Sequence, residues 1–182
     1  MKNITDELQK IIKQHPDMWT KQTLKKGIVF NTAGSFPTQN YYLETGIVKA
    51  FINNEDKQKE VIIGFLSSDA AIFSYRGSWN KAPSLYNLEV IVDADVYVIN
   101  SKNWDTLAKQ KPVMNQFLQI GVHWVLKSFA EYIKINSYPT ALERFIEYKK
   151  IYPFLSALNN EIVASFMGVS PRTIADVKSQ AK

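Results

Sequence analysis

The polar side chains best placed for chemistry on another molecule lie near the end of the chain, on a helix predicted to begin at Pro171. Arg172 and Thr173 fall in its first turn, where arginine can pair with guanine and threonine can touch a thymine methyl or a phosphate. Asp176 follows one turn later; phosphates repel its carboxylate, and an internal ion pair with Arg172 is the alternative. The candidate DNA contacts are Ser170, Arg172, Thr173, Asp176 and Lys178.

The residues before this helix supply the partner that would position it. Ala164 is small where two helices would cross, Gly168 suits a left-handed turn, and Ser170 is a good N-cap before Pro171. The apolar positions that would pack the pair are Val163, Met167, Val169, Ile174 and Val177. This pattern predicts a helix-turn-helix, which places its second helix in the DNA major groove. An ordinary helical hairpin in a core is the alternative, because it uses the same turn chemistry.

Other kinds of chemistry have little support in the composition. The 182 residues include no cysteine, and His15 and His123 are the only histidines. Disulfides, thiolate-bound iron–sulfur clusters and cysteine nucleophiles are therefore excluded, and a zinc or non-haem iron centre is disfavoured. The 18–100 segment has no histidine for a cupin-type metal enzyme, and the chain has no G-x-S-x-G motif. We predict no catalytic residues, no metal and no cofactor.

A barrel is predicted ahead of the long helices. Short β-branched and aromatic segments, separated by turn residues, predict strands at 28–31, 41–45, 48–52, 60–65, 88–92 and 96–99, with a hairpin turn at 53–56. Apolar spacing predicts helices at 3–15, 103–110, 113–136 and 140–152. The fold class is therefore α+β, with an N-terminal jelly roll (a double-stranded β-helix) followed by helices.

The long helix carries a wide apolar stripe that has two uses. It is either buried entirely against the barrel or serves also as a dimer seam, with dimer contacts expected at Leu118, Gly121, Val125 and Phe129. Tyr138 and Pro139 then break the helix. We predict a sensory barrel at 1–111, a dimerisation helix at 112–137 and a DNA-binding segment at 138–182.

This order of elements resembles the Crp/Fnr family of bacterial transcription regulators over essentially the whole chain. Three segments carry the resemblance: the strand–glycine–strand motif at 42–49, Glu143-Arg144-Phe145 with Tyr148 and Tyr152-Pro153, and the helix-turn-helix at 164–173. The resemblance implies a cyclic-nucleotide-binding-like jelly roll, a C-terminal (winged) helix-turn-helix and a cytoplasmic homodimer. The implied partners are promoter DNA, a second copy of the chain and RNA polymerase.

The chain departs from the family in the segment that would bind a cyclic nucleotide. Family members that do so carry a Gly-Glu pair and an arginine that neutralises the cyclic phosphate. Here Ile72-Phe73 and Pro83-Ser84 fall near those positions, and Arg76 is out of register. We therefore predict no cAMP binding of the family's usual kind and an unknown effector. The candidate pocket residues are Phe73, Tyr75, Arg76, Ser84 and Tyr86.

The recognition helix departs as well, and this leaves two functions open. Family helices commonly present glutamate early and arginine four residues later, whereas Arg172 and Asp176 exchange those charges. The leading interpretation is a dimeric, sequence-specific DNA-binding regulator. The alternative is a jelly roll that binds a small molecule or a protein and carries a degenerate helix-turn-helix. A formal charge of +5 is too mild to decide between them.

The sequence also predicts the compartment. No apolar run approaches the roughly 18 residues of a membrane span. The first residues include Asp6 and Glu7 and lack the apolar segment of a signal peptide. We predict a cytoplasmic protein without a membrane partner.

Overall fold

A computed structural model describes residues 2–54, 59–68, 70–72 and 82–181. The helices are α1 (Lys2–Gln14), α2 (Ser101–Gln110), α3 (Val113–Asn136), α4 (Ala141–Ile151), α5 (Asn160–Met167) and α6 (Pro171–Gln180), with a 3-10 helix at Pro153–Ala157. The strands are β1 (Thr20–Leu24), β2 (Val29–Asn31), β3 (Gln39–Leu43), β4 (Ile47–Asn54), β5 (Lys59–Ser67), β6 (Ala70–Ile72), β7 (Asn87–Val92) and β8 (Ala94–Asn100).

The chain divides into two compact units. One comprises Met1–Ala50 and Phe65–Trp124, and the other comprises Phe51–Gly64 and Val125–Lys182. The second unit thus joins the outer parts of β4 and β5 to the C-terminal helices. The two compact units do not show which segment senses an effector and which binds DNA. The functional boundaries after residues 111 and 137 therefore stay a prediction.

The strands of the described residues form two four-stranded sheets. The first has the order β1-β8-β3-β6 and is antiparallel throughout, and the second has the order β2-β7-β4-β5. Side chains from both sheets meet in one buried cluster: Leu43, Val48, Ile72, Leu88, Val90, Ala94, Val96 and Val98. Two facing sheets around one apolar core give the layered architecture of a jelly roll, as the sequence predicted.

A second cluster attaches helices to the first sheet. Apolar residues of α1, α2 and the start of α3 pack with Tyr42 and Ile99. The helical members of the cluster are Leu8, Ile11, Ile12, Trp104, Leu107, Met114 and Phe117, together with Trp19 from the segment after α1. Their spacing at three and four residues explains why these segments form amphipathic helices.

Gly46 makes the tight connection between β3 and β4. Its φ is +101°, and an added Cβ would lie 2.6 Å from both the Cα of Ala94 and the carbonyl oxygen of Asp93. Only glycine fits this backbone and this space. The strand–glycine–strand motif predicted at 42–49 is confirmed.

The second unit has its own helical core. Phe145 and Tyr148 of α4, Leu155, Val163 of α5 and Ile174 of α6 are all buried. The start of α4 has a capping box, in which the Thr140 hydroxyl accepts from the Glu143 N–H and the Glu143 carboxylate accepts from the Thr140 N–H. The second half of α3 joins this unit through Tyr132, whose ring lies 6.3 Å from that of Tyr148.

The structure adds two strands that the sequence did not predict. β1 is exposed at four of its five positions and β6 has the sequence Ala-Ala-Ile, so neither shows apolar alternation. The turn predicted at 53–56 begins within β4, which includes Asn53 and Asn54, and then passes outside the described residues. The described residues 125–181 contain no strand, so the wing implied by the family resemblance is not among them.

Candidate functional site

Helices α5 and α6 are joined by three residues, Gly168 to Ser170. Gly168 adopts φ +67° and ψ +32°, the left-handed conformation that ends a helix at low cost for glycine. The following N–H, of Val169, donates to the carbonyl oxygen of Ala164 at 3.1 Å. The turn therefore has the chemistry that the sequence predicted.

Small and apolar side chains pack the two helices together. Ala164 is 3% exposed and allows close approach. The other predicted packing residues Val163, Met167, Ile174 and Val177 are buried, and Val169 is half-buried. The packed pair thus supports the outward side of α6.

Two of the predicted contact residues start helix α6. The Ser170 hydroxyl accepts a hydrogen bond from the Thr173 N–H at 3.1 Å, and the two side-chain hydroxyls lie 2.8 Å apart. Thr173 is half-buried, while Ser170 is exposed. The Ser170 hydroxyl is therefore occupied by capping and the Thr173 hydroxyl by its contact with Ser170, which reduces what they can offer to a ligand.

The outward side of α6 presents Arg172 and Asp176. Both side chains are exposed. Within the part of the chain that the structure describes, neither takes part in an ion pair. The internal pair considered from the sequence is therefore not formed, and a guanidinium and a carboxylate one turn apart remain available to a partner.

Lys178 differs from its predicted outward placement. Its ammonium donates to the carbonyl oxygen of Leu158 at 2.5 Å, and the residue is half-buried. Burial lowers the pKa of this ammonium group. Lys178 therefore ties α6 to the segment before α5, a long-range contact that α6 alone could not reveal.

Sequence reasoning missed an exposed α6 position that continues the line of Arg172 and Asp176. Ser179 is exposed and lies seven residues, two helical turns, after Arg172. That spacing was the signal that could have identified it.

A shallow groove of about 490 Å³ lies at the end of α6. It is lined by Ile146, Lys149, Lys150, Gln180 and Ala181. Lys149 donates to the carbonyl oxygen of Ala181 there, at 3.3 Å.

The second half of α3 exposes an apolar stripe. The exposed fractions are 59% for Val125, 64% for Leu126, 63% for Phe129 and 57% for Ile133. Entire burial of the helix, one of the two uses considered from the sequence, is therefore wrong, although Met114 and Phe117 at its start are buried. Of the other two predicted dimer contacts, Gly121 is half-buried and the Leu118 side chain lies outside the described residues.

The predicted ligand pocket is described only in part, because Phe73, Tyr75 and Arg76 lie outside the described residues. Ser84 is buried; its hydroxyl donates to the Tyr86 carbonyl oxygen at 2.8 Å and accepts from the Asn31 amide at 2.9 Å. These bonds occupy the hydroxyl within the protein.

A small pocket of about 10 Å³ lies beside Tyr86. It is lined by Asn31, Pro37, Gln39, Tyr41, Ile72, Tyr86 and Leu88. That volume holds one water molecule at most. Burial raises the pKa of the Tyr41 and Tyr86 hydroxyls, because an apolar surrounding disfavours the phenolate.

The described residues contain no group of three or more His, Cys, Asp or Glu side chains that could hold a metal ion. None of the helices in the described part of the chain is long and apolar enough to cross a membrane.

Comparison with known structures identifies the fold. FixK2 from Bradyrhizobium japonicum matches with a TM-score of 0.73 at 15% identity, over 89% of this chain and 83% of that one. CLP, described as a c-di-GMP responsive global regulator of Xanthomonas campestris, matches with a TM-score of 0.73 at 12% identity, over 93% and 89%. A proposed Crp/Fnr-family regulator from Eubacterium rectale matches at 0.72 and 14% identity, over 91% and 79%.

The chain therefore has the fold of Crp/Fnr-type transcription regulators, over about nine tenths of its length. No family model and no curated protein matches the sequence. At these identities the likeness establishes the fold.

Proposed function

We propose that this chain is a sequence-specific DNA-binding transcription regulator of the Crp/Fnr type that acts as a homodimer in the cytoplasm. The observation that carries the proposal is the α5–turn–α6 segment, which we call the reader. It is a closely packed helix pair whose outward side presents an unpaired guanidinium and an unpaired carboxylate among the described residues. A helix supported in this way fits the major groove, which is about 12 Å wide.

The reader's free side chains define what it would recognise. Arg172 can form two hydrogen bonds to the O6 and N7 atoms of guanine, and Asp176 can accept from the N4 amino group of cytosine. Four helical residues advance about 6 Å, close to two base-pair steps. We therefore expect each half-site to contain a guanine and a cytosine about two base pairs apart. Ser179 lies next along the same side.

The apolar stripe on α3 supports the dimer. Val125, Leu126, Phe129 and Ile133 form a continuous outward surface on a single helix, at 57–64% exposure. Covering that surface with the same stripe of a second copy would remove it from water. A twofold interface of this kind would place two readers on two half-sites.

The proposed division of tasks follows the order of the chain. Residues 1–111 would sense an effector, 112–137 would dimerise, and 138–182 would read DNA and act with RNA polymerase. The Ser84 hydroxyl is bonded within the protein and Tyr86 lines a pocket of only about 10 Å³, which supports an effector site unlike the usual one for cAMP. The identity of the effector stays open.

Selection from a random duplex library tests the proposal. The purified chain should enrich a twofold-symmetric site, and its affinity should fall steeply as salt rises, because phosphate contacts release counterions. Arg172→Ala should lose the preference for the guanine at a cost of about 1–3 kcal/mol. Failure to enrich any sequence, with and without added metabolite extract, would contradict the proposal.

A further inference from the structure

One hydroxyl of the reader pairs with the edge of a sheet. Ser165, in the middle of α5, donates to the carbonyl oxygen of Glu60 at 2.7 Å. The same hydroxyl accepts from the N–H of Ile62 at 3.3 Å. Both partners belong to the outer part of β5, residues 59–64, which we call the β5 edge. The contact joins segments more than 100 residues apart within one compact unit.

The chemistry of a strand edge explains why a serine fits here. β5 is the last strand in its sheet among the described residues, so one side of its backbone has no strand partner within them. The carbonyl of one residue and the N–H of the residue two further along point to the same side. A hydroxyl can donate to the first and accept from the second at once. Alanine at this position could do neither.

The neighbouring residue attaches α5 in another way. The Phe166 ring lies 4.7 Å from that of Tyr148, 5.7 Å from Tyr152 and 6.1 Å from Tyr132. This aromatic cluster connects α5 to α4 and to the second half of α3. Residues 165 and 166 therefore give α5 two attachments: hydrogen bonds to the β5 edge and ring contacts to the other helices. Helix α6 follows only three residues after α5.

We propose that Ser165 is a positioning residue, whose two hydrogen bonds to the β5 edge fix the orientation of the reader. Hydrogen bonds are more directional than ring contacts, so the two bonds of Ser165 would restrict rotation of α5 more tightly than the aromatic cluster alone. Fixing α5 sets the direction of α6 and hence the separation of the two readers in a dimer. The consequence for DNA binding rests on the function proposed above.

Spin-label distances test this without DNA. The chain has no cysteine, so Lys59→Cys and Ser179→Cys, both at exposed positions, add the only two labelling sites. Ser165→Ala should broaden the distance distribution between the labels. Alanine is a better helix former than serine, so α5 itself is not weakened. Ser156→Ala, at an exposed serine of the same unit, is the matched control and should leave the distribution narrow.

An unchanged width in Ser165→Ala would overturn the proposal. This result is independent of DNA, so it decides the role of Ser165 even if the wild-type chain binds no duplex and the proposed function fails.

DNA binding distinguishes a positioning role of Ser165 from general damage to the reader. Ser165→Ala should weaken binding to a duplex with two half-sites about tenfold, the size expected for one or two neutral hydrogen bonds. Binding to a duplex with one half-site should stay the same, because a single reader needs no fixed separation. Equal loss on both duplexes would mean that the reader itself is impaired and would contradict a positioning role.

Discussion

Some side chains of the reader form contacts within their own helix, and others contact segments far away in the sequence. Ser170 was predicted correctly as an N-cap, because capping depends on residues three positions apart. Lys178 and Ser165 were not predicted to bind Leu158 and the β5 edge, since these partners lie 20 and more than 100 residues away. Contacts between residues close in sequence can be predicted, whereas the long-range contacts of a polar side chain depend on which distant segments the fold places beside it.

Asp176 provides the sharpest residue-scale prediction. Asp176→Asn replaces an acceptor with a group that can form two hydrogen bonds to adenine, so selection should change the preferred base at one position of each half-site from cytosine to adenine. The guanine assigned to Arg172 should stay, which makes it the internal control. Discrimination of about 1–3 kcal/mol at the changed position is expected.

A different result would assign Asp176 another role. If Asp176→Asn enriches the same sequence as the wild type and only binds it more tightly, the carboxylate does no more than repel phosphates. The base contact proposed for Asp176 would then be wrong.

The secondary-structure elements followed local patterns where those patterns were strong. Six strands and the long helices agree with their predicted positions to within a few residues, because apolar alternation and helical spacing mark them. The exposed edge strand β1 and the alanine-rich β6 lack alternation; they form because β8 and β3 pair with them. Pairing of this kind depends on distant sequence.

Two turn glycines should respond differently to substitution. Gly168→Ala should destabilise the chain by about 1–2 kcal/mol, since its φ is left-handed but no atom lies within 4 Å of the new Cβ. Gly46→Ala should cost more, because its Cβ would also meet the backbone of Asp93 and Ala94 at 2.6 Å. Denaturant unfolding measures both.

Gly64→Ala is the control for these two variants. Its φ is not left-handed and nothing lies within 4 Å of the added carbon, so the free energy of unfolding should change little. Equal losses at all three glycines would argue against the turn geometry described for Gly46 and Gly168.

At the scale of the whole molecule, the order of barrel, long helix and paired C-terminal helices was predictable from sequence, and the fold agrees with it. The grouping of the β5 edge with the C-terminal helices was not. It depends on contacts such as Ser165 to Glu60, for which neither segment carries a local signal. Dimerisation also lacks a local signal, because the sequence of an apolar stripe does not indicate which surface covers it.

The α3 stripe yields a prediction for assembly. Phe129→Glu places a charge in the centre of the exposed apolar surface and should shift the chain from dimer to monomer in sedimentation experiments, because burying an unpaired carboxylate is costly. Lys127→Glu introduces the same side chain at an exposed position about 150° around the helix from the middle of the apolar stripe. This variant should leave the dimer intact. A wild-type chain that sediments as a monomer at all concentrations would contradict the dimer proposal.

The most direct test of a dimeric DNA reader is a binding titration against the spacing of the two half-sites. A selected symmetric duplex should bind two copies of the chain, and inserting five base pairs between its half-sites should abolish tight binding. The insertion rotates one half-site by about half a helical turn away from its reader. Affinity that does not depend on this spacing, or one bound copy per duplex, would contradict the account.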